Sequence, residues 1–349
     1  MDGANPTSAD EGAAKRVTVV VTPRERFGPA LRALDTLLEV TSAPYELIYV
    51  SGRLPRRLAE QVDLRARTHG FRHERRDRHL APNEARNIGA GLARTPYVVF
   101  IDNDVFPKAG WLTALLAGAD DSRAEVVAPL TCQGWPLHTE IHQAGGTFAT
   151  DVERFFAAAP GQRQIEEEMF HQGERLEEVS LERHETQLCE FHCVLVRREA
   201  LEAIGGLDED LLATKEHLDF CMTIIRAGGR VVLEPSSVVT YLIPNRHNPL
   251  KVADWPYFLL RWSPAWQWRS LERFQRKWGL ADDGYMRRRA SMLGWRHDEG
   301  VGKRIARKIP IVRRSARAVG VAQSVLRPAL RAASRAAVAV DDAQRALRT

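Results

Sequence analysis

The chain has 349 residues, of which 44% are apolar and 27% charged, and its formal net charge is +5. These proportions allow a sizeable buried core and exclude a disordered chain. No run of about 18 apolar residues occurs, and residues 1–15 hold no apolar stretch, so neither a membrane-spanning helix nor a secretory leader is expected.

Residues 1–15 read as a disordered leader. The β-branched run Val17 to Val21 reads as a buried strand closed by Pro23. Leu31, Leu34, Leu37 and Leu38 recur at helical spacing over 29–40. Tyr45 to Val50 is a second strand and 58–69 a second helix. A helix over 83–92 follows Pro82. Tyr97 to Ile101 is a third strand, running straight into Asp102-Asn103-Asp104. A helix starts at Trp111, and 125–129 is a fourth strand. Strands alternating with helices at these intervals predict a doubly wound, mostly parallel sheet. Ligands of such sheets sit beyond the carboxyl ends of the strands, where Asp102 and Asp104 fall.

Residues 133–187 are irregular and polar and read as inserted loops facing an acceptor. Strands follow over 191–196 and 230–233, and helices over 198–204 and 216–226. Beyond them the chain is rich in aromatics from Trp255 to Trp278. Core packing is expected for most of these, with a sugar-binding platform as the other use. From Val301 to Val340 there are ten Lys or Arg and no Asp or Glu. Such a stretch suits a solvated tail, a partner-binding segment or weak contact with an anionic membrane surface. No nucleic-acid-reading motif accompanies the charge. The cysteines 132, 189, 193 and 221 match no zinc spacing, and free buried thiols are expected.

Two carboxylates separated by one residue at a strand end can face one point. Mg²⁺ or Mn²⁺ prefers such oxygen ligands and keeps positions for substrate phosphates. The plainer account is a turn, in which Asp and Asn favour the geometry. His138 and His142, four apart around Glu140, could form a metal pair on a helix. The glycines 145 and 146 argue against a helix there, so an ordinary loop or acceptor contact is expected.

The order Asn83-Glu84-Ala85-Arg86-Asn87-Ile88-Gly89, apolar strand, Asp102-Asn103-Asp104, Pro107 and Trp111-Leu112 resembles the family 2 glycosyltransferases. So do Arg197-Arg198, Gly205-Gly206-Leu207-Asp208-Glu209 and the acidic segment Glu216-His217-Leu218-Asp219. The resemblance covers roughly residues 17–243. It implies the GT-A fold over 16–245, with a nucleotide-binding half over 16–131 and an acceptor half over 132–245. An aromatic-rich helical subdomain over 246–300 and a basic tail over 301–349 complete the expected layout.

The resemblance also implies an activity: sugar transfer with inversion from a UDP-, GDP- or dTDP-sugar to a glycan, lipid-linked or small-molecule hydroxyl. Thr22, Pro23, Arg24, Glu25 and Ser51 would contact the nucleoside, and Asn83, Arg86, Asn87 and Asp102 the rest of the donor. Asp102 and Asp104 would hold Mn²⁺ or Mg²⁺, with His247 as a third ligand. The segment Val50-Ser51-Gly52 lacks the family's base-reading Asp, which leaves the nucleobase open. Inverting transfer needs a base for the acceptor hydroxyl. Glu216 or Asp219 is expected in that role, with His217, which replaces the family's Asp, second. The cellular place implied is the cytoplasm or the inner face of the plasma membrane. The rival readings are a GT-A-fold protein that binds nucleotide sugars or glycans without turnover, and a nucleotidyltransferase. The latter would want glycines after the first strand, which Thr22 to Arg26 lack.

Overall fold

A computed structural model describes residues 14–24, 26–243 and 249–347. Glu25 and His247, both singled out above, lie outside the described residues.

The strands in chain order are β1 (Val17–Thr22), β2 (Glu46–Ser51), β3 (Arg72–Arg75), β4 (Tyr97–Asp102), β5 (Val105–Pro107), β6 (Val126–Gln133), β7 (Glu140–Gln143), β8 (Gly146–Thr147), β9 (Glu168–Met169), β10 (His184–Thr186), β11 (Cys193–Arg197) and β12 (Val231–Tyr241). The main sheet runs β10-β12-β6-β11-β4-β1-β2-β3, with β5 on β12 and β7 on β6. β1, β2, β3 and β4 are mutually parallel, as are β6 and β12, while β11 is antiparallel to both β4 and β6. This is the mixed, mostly parallel sheet expected of the GT-A fold.

Every residue of β1 and β4 is buried, because helices cover both faces. Val17, Val19 and Val21 pack with Leu34 and Leu37 of helix α1 (Ala30–Val40) and Val62 of α2 (Arg56–His69) on one face. Val20, Val98 and Phe100 pack with Ala85 of α3 (Pro82–Leu92) on the other. Helix α4 (Trp111–Ser122) closes the first face through Trp111, Leu112 and Leu115. Gly89 brings α3 unusually close to the sheet: a Cβ there would lie 2.1 Å from Val20 Cγ1.

Two strands differ from expectation. β3, Arg-His-Glu-Arg, has no apolar pattern; it is an edge strand that charge keeps from pairing further. β12 continues eight residues past its predicted end at Leu233. Its register shifts between Glu234 and Val238, so Pro235 sits where the ladder is already broken.

The second half adds α5 (Val152–Ala157), α6 (Arg198–Ala203), α7 (Glu216–Arg226), α8 (Trp255–Arg261), α9 (Pro264–Trp278) and α10 (Gly284–Ser291). Ser263 caps α9 by accepting from Trp266 N, with Pro264 in the first turn. Trp266, Phe274 and Trp278 are fully buried, the core role expected of most of these aromatics. The basic tail is not extended: a helix spans Ala316–Ala346 and buries Val319, Leu330, Ser334, Val338 and Asp341. Among the described residues no helix is long and apolar enough to cross a membrane. All four cysteines are free and buried.

Candidate active site

The carboxyl ends of β1 and β4 lie side by side, with Thr22 opposite Asp102. Thr22 Oγ1 donates to Asp102 Oδ1 at 3.3 Å, and Asn103 N donates to Thr22 O at 2.9 Å. Arg24 N donates to Asn103 Oδ1 at 3.0 Å. The two loops are therefore knitted together, and both acidic residues turn inward.

Each carboxylate meets guanidinium groups. Arg26 Nη2 donates to Asp104 Oδ2 at 2.8 Å, and Asp104 is wholly buried, its Oδ1 without a hydrogen-bond partner. Arg24 Nη1 is 3.5 Å from Asp102 Oδ2 and 3.8 Å from Asp104 Oδ1. Arg86 Nη2 is 3.5 Å from Asp102 Oδ1, and its guanidinium lies 4.0 Å above the Phe191 ring. Burial alone would raise Asp102, but His192, Arg24 and Arg86 hold it below its ordinary value.

Asp102, Arg24 and Arg86 line a cavity of about 510 Å³ together with Pro23, His142, Glu190, His192, Glu216 and His217. The residues from α7 arrive here because Lys215, in the left-handed region at φ 69°, turns the chain into the helix. Lys215 Nζ pairs with Glu167 Oε2 at 2.6 Å. Tyr285 Oη donates to the same oxygen at 2.7 Å, and Arg289 Nη2 at 2.9 Å. Burial works against the Glu167 carboxylate, yet Lys215 and Arg289 bring it down to about 2. Trp262, Trp295 and Arg296 form a further wall, the Arg296 guanidinium stacked 4.0 Å over Trp262.

The three candidates for the base are separated by this arrangement. Glu216 Oε1 accepts from Arg261 Nη2 at 2.7 Å, while its Oε2 has no partner. His217 Nε2 is shielded from solvent and likewise without a hydrogen-bond partner. Burial lowers His217 against the pull of Glu190 and Glu167, so the ring is neutral at pH 7. Asp219 turns to another pocket, lined also by Asp208, Arg273 and Lys277. It accepts from Lys277 Nζ and Trp278 Nε1, both at 2.7 Å.

Other residues expected to contact the donor also bond within the chain. Asn83 Nδ2 donates to Asp208 O at 2.9 Å. Asn87 exchanges bonds with Leu207, donating to its carbonyl and accepting from its N–H, both at 2.9 Å. Both asparagines thus staple α3 to the Gly205–Glu209 loop. Ser51, at the end of β2, is buried and bonds His73 Nε2 at 2.9 Å.

A further cluster was not anticipated. His142 Nε2 is 2.8 Å and His192 Nε2 3.0 Å from the same Glu190 Oε2. The three side chains form a group suited to a divalent metal, one donor atom from each lying within 4.8 Å of the others. Burial would raise Glu190, but the two imidazoles hold it well below the usual carboxylate range. His142 does not pair with His138, whose Nδ1 bonds Thr240 Oγ1 instead. The available signal is Glu190-Phe191-His192, a carboxylate and an imidazole two residues apart in the turn that enters β11. Arg261 carries no signal, because only the folded chain brings it to Glu216.

Residues 18–205, more than half of the chain, match the family model "Glycosyl transferase family 2". The pre-mycofactocin glycosyltransferase of Mycobacterium tuberculosis is 28% identical over 166 residues, 46% of this chain and 30% of that protein. The chain thus spans under a third of the curated relatives it matches. Among solved structures, similar ones include GalNAc-T7 with UDP, GalNAc and Mn²⁺ (15% identity, TM-score 0.49, 80% of this chain and 58% of that one). Another is the mannosyltransferase PcManGT of Pyrobaculum calidifontis with GDP-Man and Mn²⁺ (17%, TM-score 0.47, 94% and 87%). With the acidic loop closing β4, the helix bearing Arg86 and a family match across both, the chain belongs to glycosyl transferase family 2.

Proposed function

We propose that this protein transfers a glycosyl group from a nucleoside diphosphate sugar to an acceptor hydroxyl, with inversion at the anomeric carbon. One observation carries the reading. A single cavity is lined by the cations Arg24 and Arg86 on one side and by Glu216 and His217 on the other. The first side suits a diphosphate and the second a hydroxyl about to lose its proton.

The nucleoside would lie over the ends of β1 and β2, near Thr22, Pro23 and Ser51. Arg24 and Arg86 would neutralise the charge that grows on the leaving diphosphate. Asp102 keeps both guanidinium groups in place. As the acceptor oxygen bonds the anomeric carbon and the carbon–phosphate oxygen bond breaks, the hydroxyl proton passes to the imidazole of His217. Glu216, fixed by Arg261, stabilises the resulting imidazolium. His217 is preferred to Asp219, which already accepts two hydrogen bonds outside the cavity. The acceptor would enter past Trp262, Trp295 and Arg296.

The family implies a divalent cation, which when bound lends charge neutralisation to the leaving group. Asp102 and Asp104 are flanked by cations rather than open ligands for it, although Asp104 Oδ1 has no hydrogen-bond partner. Arg26 occupies Asp104, and Arg24 and Arg86 flank Asp102. The steps above therefore use only the chain's own residues.

The test is turnover of a panel of UDP-, GDP- and dTDP-sugars with glycan, lipid-linked and small-molecule acceptors. Release of nucleoside diphosphate from one donor, lost in His217→Ala while the donor still binds, is expected. Product of unchanged anomeric configuration would refute inversion, and failure to bind any nucleotide sugar would refute the reading as a whole.

A further inference from the structure

We propose that a first-row divalent transition-metal ion binds between His142 Nε2, Glu190 Oε2 and His192 Nε2, apart from the Asp102-Asn103-Asp104 loop. Its use in glycosyl transfer rests on the function proposed above; the binding does not.

The donor atoms already converge. Both Nε2 atoms lie within 3.0 Å of one carboxylate oxygen, and one donor atom from each residue falls within 4.8 Å of the others. Ligands about 2.0–2.2 Å from a tetrahedral ion are separated by roughly 3.5 Å, so small side-chain shifts would admit one. The backbone is well placed to hold them. His142 stands on β7, paired to β6, and Glu190 and His192 sit on the segment that enters β11. Glu190 N is itself fixed, donating to Gln143 Oε1 at 3.0 Å.

The outer atoms are supported as metal-bound imidazoles require. His192 Nδ1 is 3.3 Å from Asp102 Oδ2, a carboxylate behind a histidine. The Tyr241 ring stacks on His192 at 3.9 Å and meets His142 edge-on at 4.9 Å. Tyr241 Oη lies 3.5 Å from His142 Nδ1 and donates to Gln133 Oε1 at 3.2 Å. Each histidine thus has a neighbour at Nδ1 and turns Nε2 towards Glu190.

One contact must change. Arg24 Nη1 is 2.6 Å from His192 Nδ1 and needs that nitrogen as acceptor. With Nε2 on a metal, Nδ1 carries the proton and gives it to Asp102, so Arg24 leaves this contact. Arg24 lines the same cavity, so metal binding would redirect a cation towards the expected diphosphate. All three ligands face that cavity, which supplies an entry path and room for further ligands. Two imidazoles and one carboxylate suit Mn²⁺, Co²⁺ or Zn²⁺ better than Mg²⁺.

The test uses the full chain, stripped with a chelator, and no nucleotide. Co²⁺ is titrated by calorimetry and visible absorption, and Cu²⁺ bound to the unaltered protein is read by electron paramagnetic resonance. One ion per chain with nitrogen couplings is expected. His142→Ala and Glu190→Gln should each weaken Co²⁺ binding at least ~100-fold, beyond the effect of losing a supporting contact alone. Asp104→Asn should leave it within ~3-fold. No binding, binding without nitrogen couplings, or binding lost in Asp104→Asn and kept in His142→Ala would overturn the proposal. The Cu²⁺ spectrum needs no variant, so it stands even if one fails to fold. Metal bound with nitrogen ligands by a chain that turns over no donor would sink the proposed function and leave the site standing.

Discussion

Gly89 offers a test of how the site is held. Placing Ala in the middle of a helix normally favours folding by about 1 kcal/mol over Gly. At Gly89 the added Cβ would lie 2.1 Å from Val20 Cγ1 and 3.1 Å from Val20 Cγ2. Ordinary carbon contacts are about 3.5–4.0 Å, so α3 would have to rise from the sheet by roughly 1.5 Å or Val20 leave its rotamer. Val20 is fully buried, and overpacking of this kind costs about 1–3 kcal/mol. Gly89→Ala should therefore lower stability by up to ~2 kcal/mol net, read as a fall in the urea midpoint. Arg86 is one turn earlier on the same helix, so nucleotide-sugar affinity should fall with it. Val20→Ala, which costs ~2 kcal/mol alone through its cavity, should absorb most of the added cost of Gly89→Ala. Strictly additive costs, or a stabilised Gly89→Ala, would refute the close approach of α3 to β1.

His217→Ala should reduce kcat by about 10²–10⁴-fold with donor KM little changed, as removal of a base requires; a fall confined to KM would reassign the residue to binding. Asp219→Ala should instead cost about 1–3 kcal/mol of stability, because the buried Trp278 Nε1 would lose its acceptor while Lys277 keeps Asp208, and the folded fraction should keep its kcat. His79 and His297 are pushed down to about 4, mainly by burial. The unfolded chain thus binds more protons below about pH 6.5, and stability should fall as pH drops from there towards 4, by up to ~1.4 kcal/mol per unit for each group. A urea-midpoint profile that is unchanged in the His79→Gln, His297→Gln double variant would contradict that assignment.

How much could be read beforehand differs between the two halves of the site. β1, β2, β4 and the helices between them are written in local periodicity, and Asp102 follows an apolar run that can only be a strand. Local pattern says which residues end a strand but not what meets them. Arg26 on Asp104, Arg261 on Glu216 and Lys277 on Asp219 are contacts over long sequence separations, between side chains that look like ordinary surface charges. They decide which acid is open to the cavity. The cluster of His142, Glu190 and His192 escaped for the same reason: β7 and the entry to β11 are 48 residues apart at His142 and Glu190. β3 escaped because an edge strand needs no apolar alternation.

The helix over Ala316–Ala346 has a consequence beyond its charge. Val338 packs with Ala81 before α3, Leu212 and Ala213 before α7, and Leu260 and Trp266 of α8 and α9. Ser334 Oγ donates to Leu259 O at 3.1 Å, and Arg345 Nη2 reaches Glu84 at 3.8 Å. It therefore works as a keystone, touching at once the segments that aim Arg86, His217 and Arg261. Shortening the chain before Ala316 would remove no separate module. It would loosen the spacing between the donor side and the acceptor side while leaving every residue of the cavity in the chain.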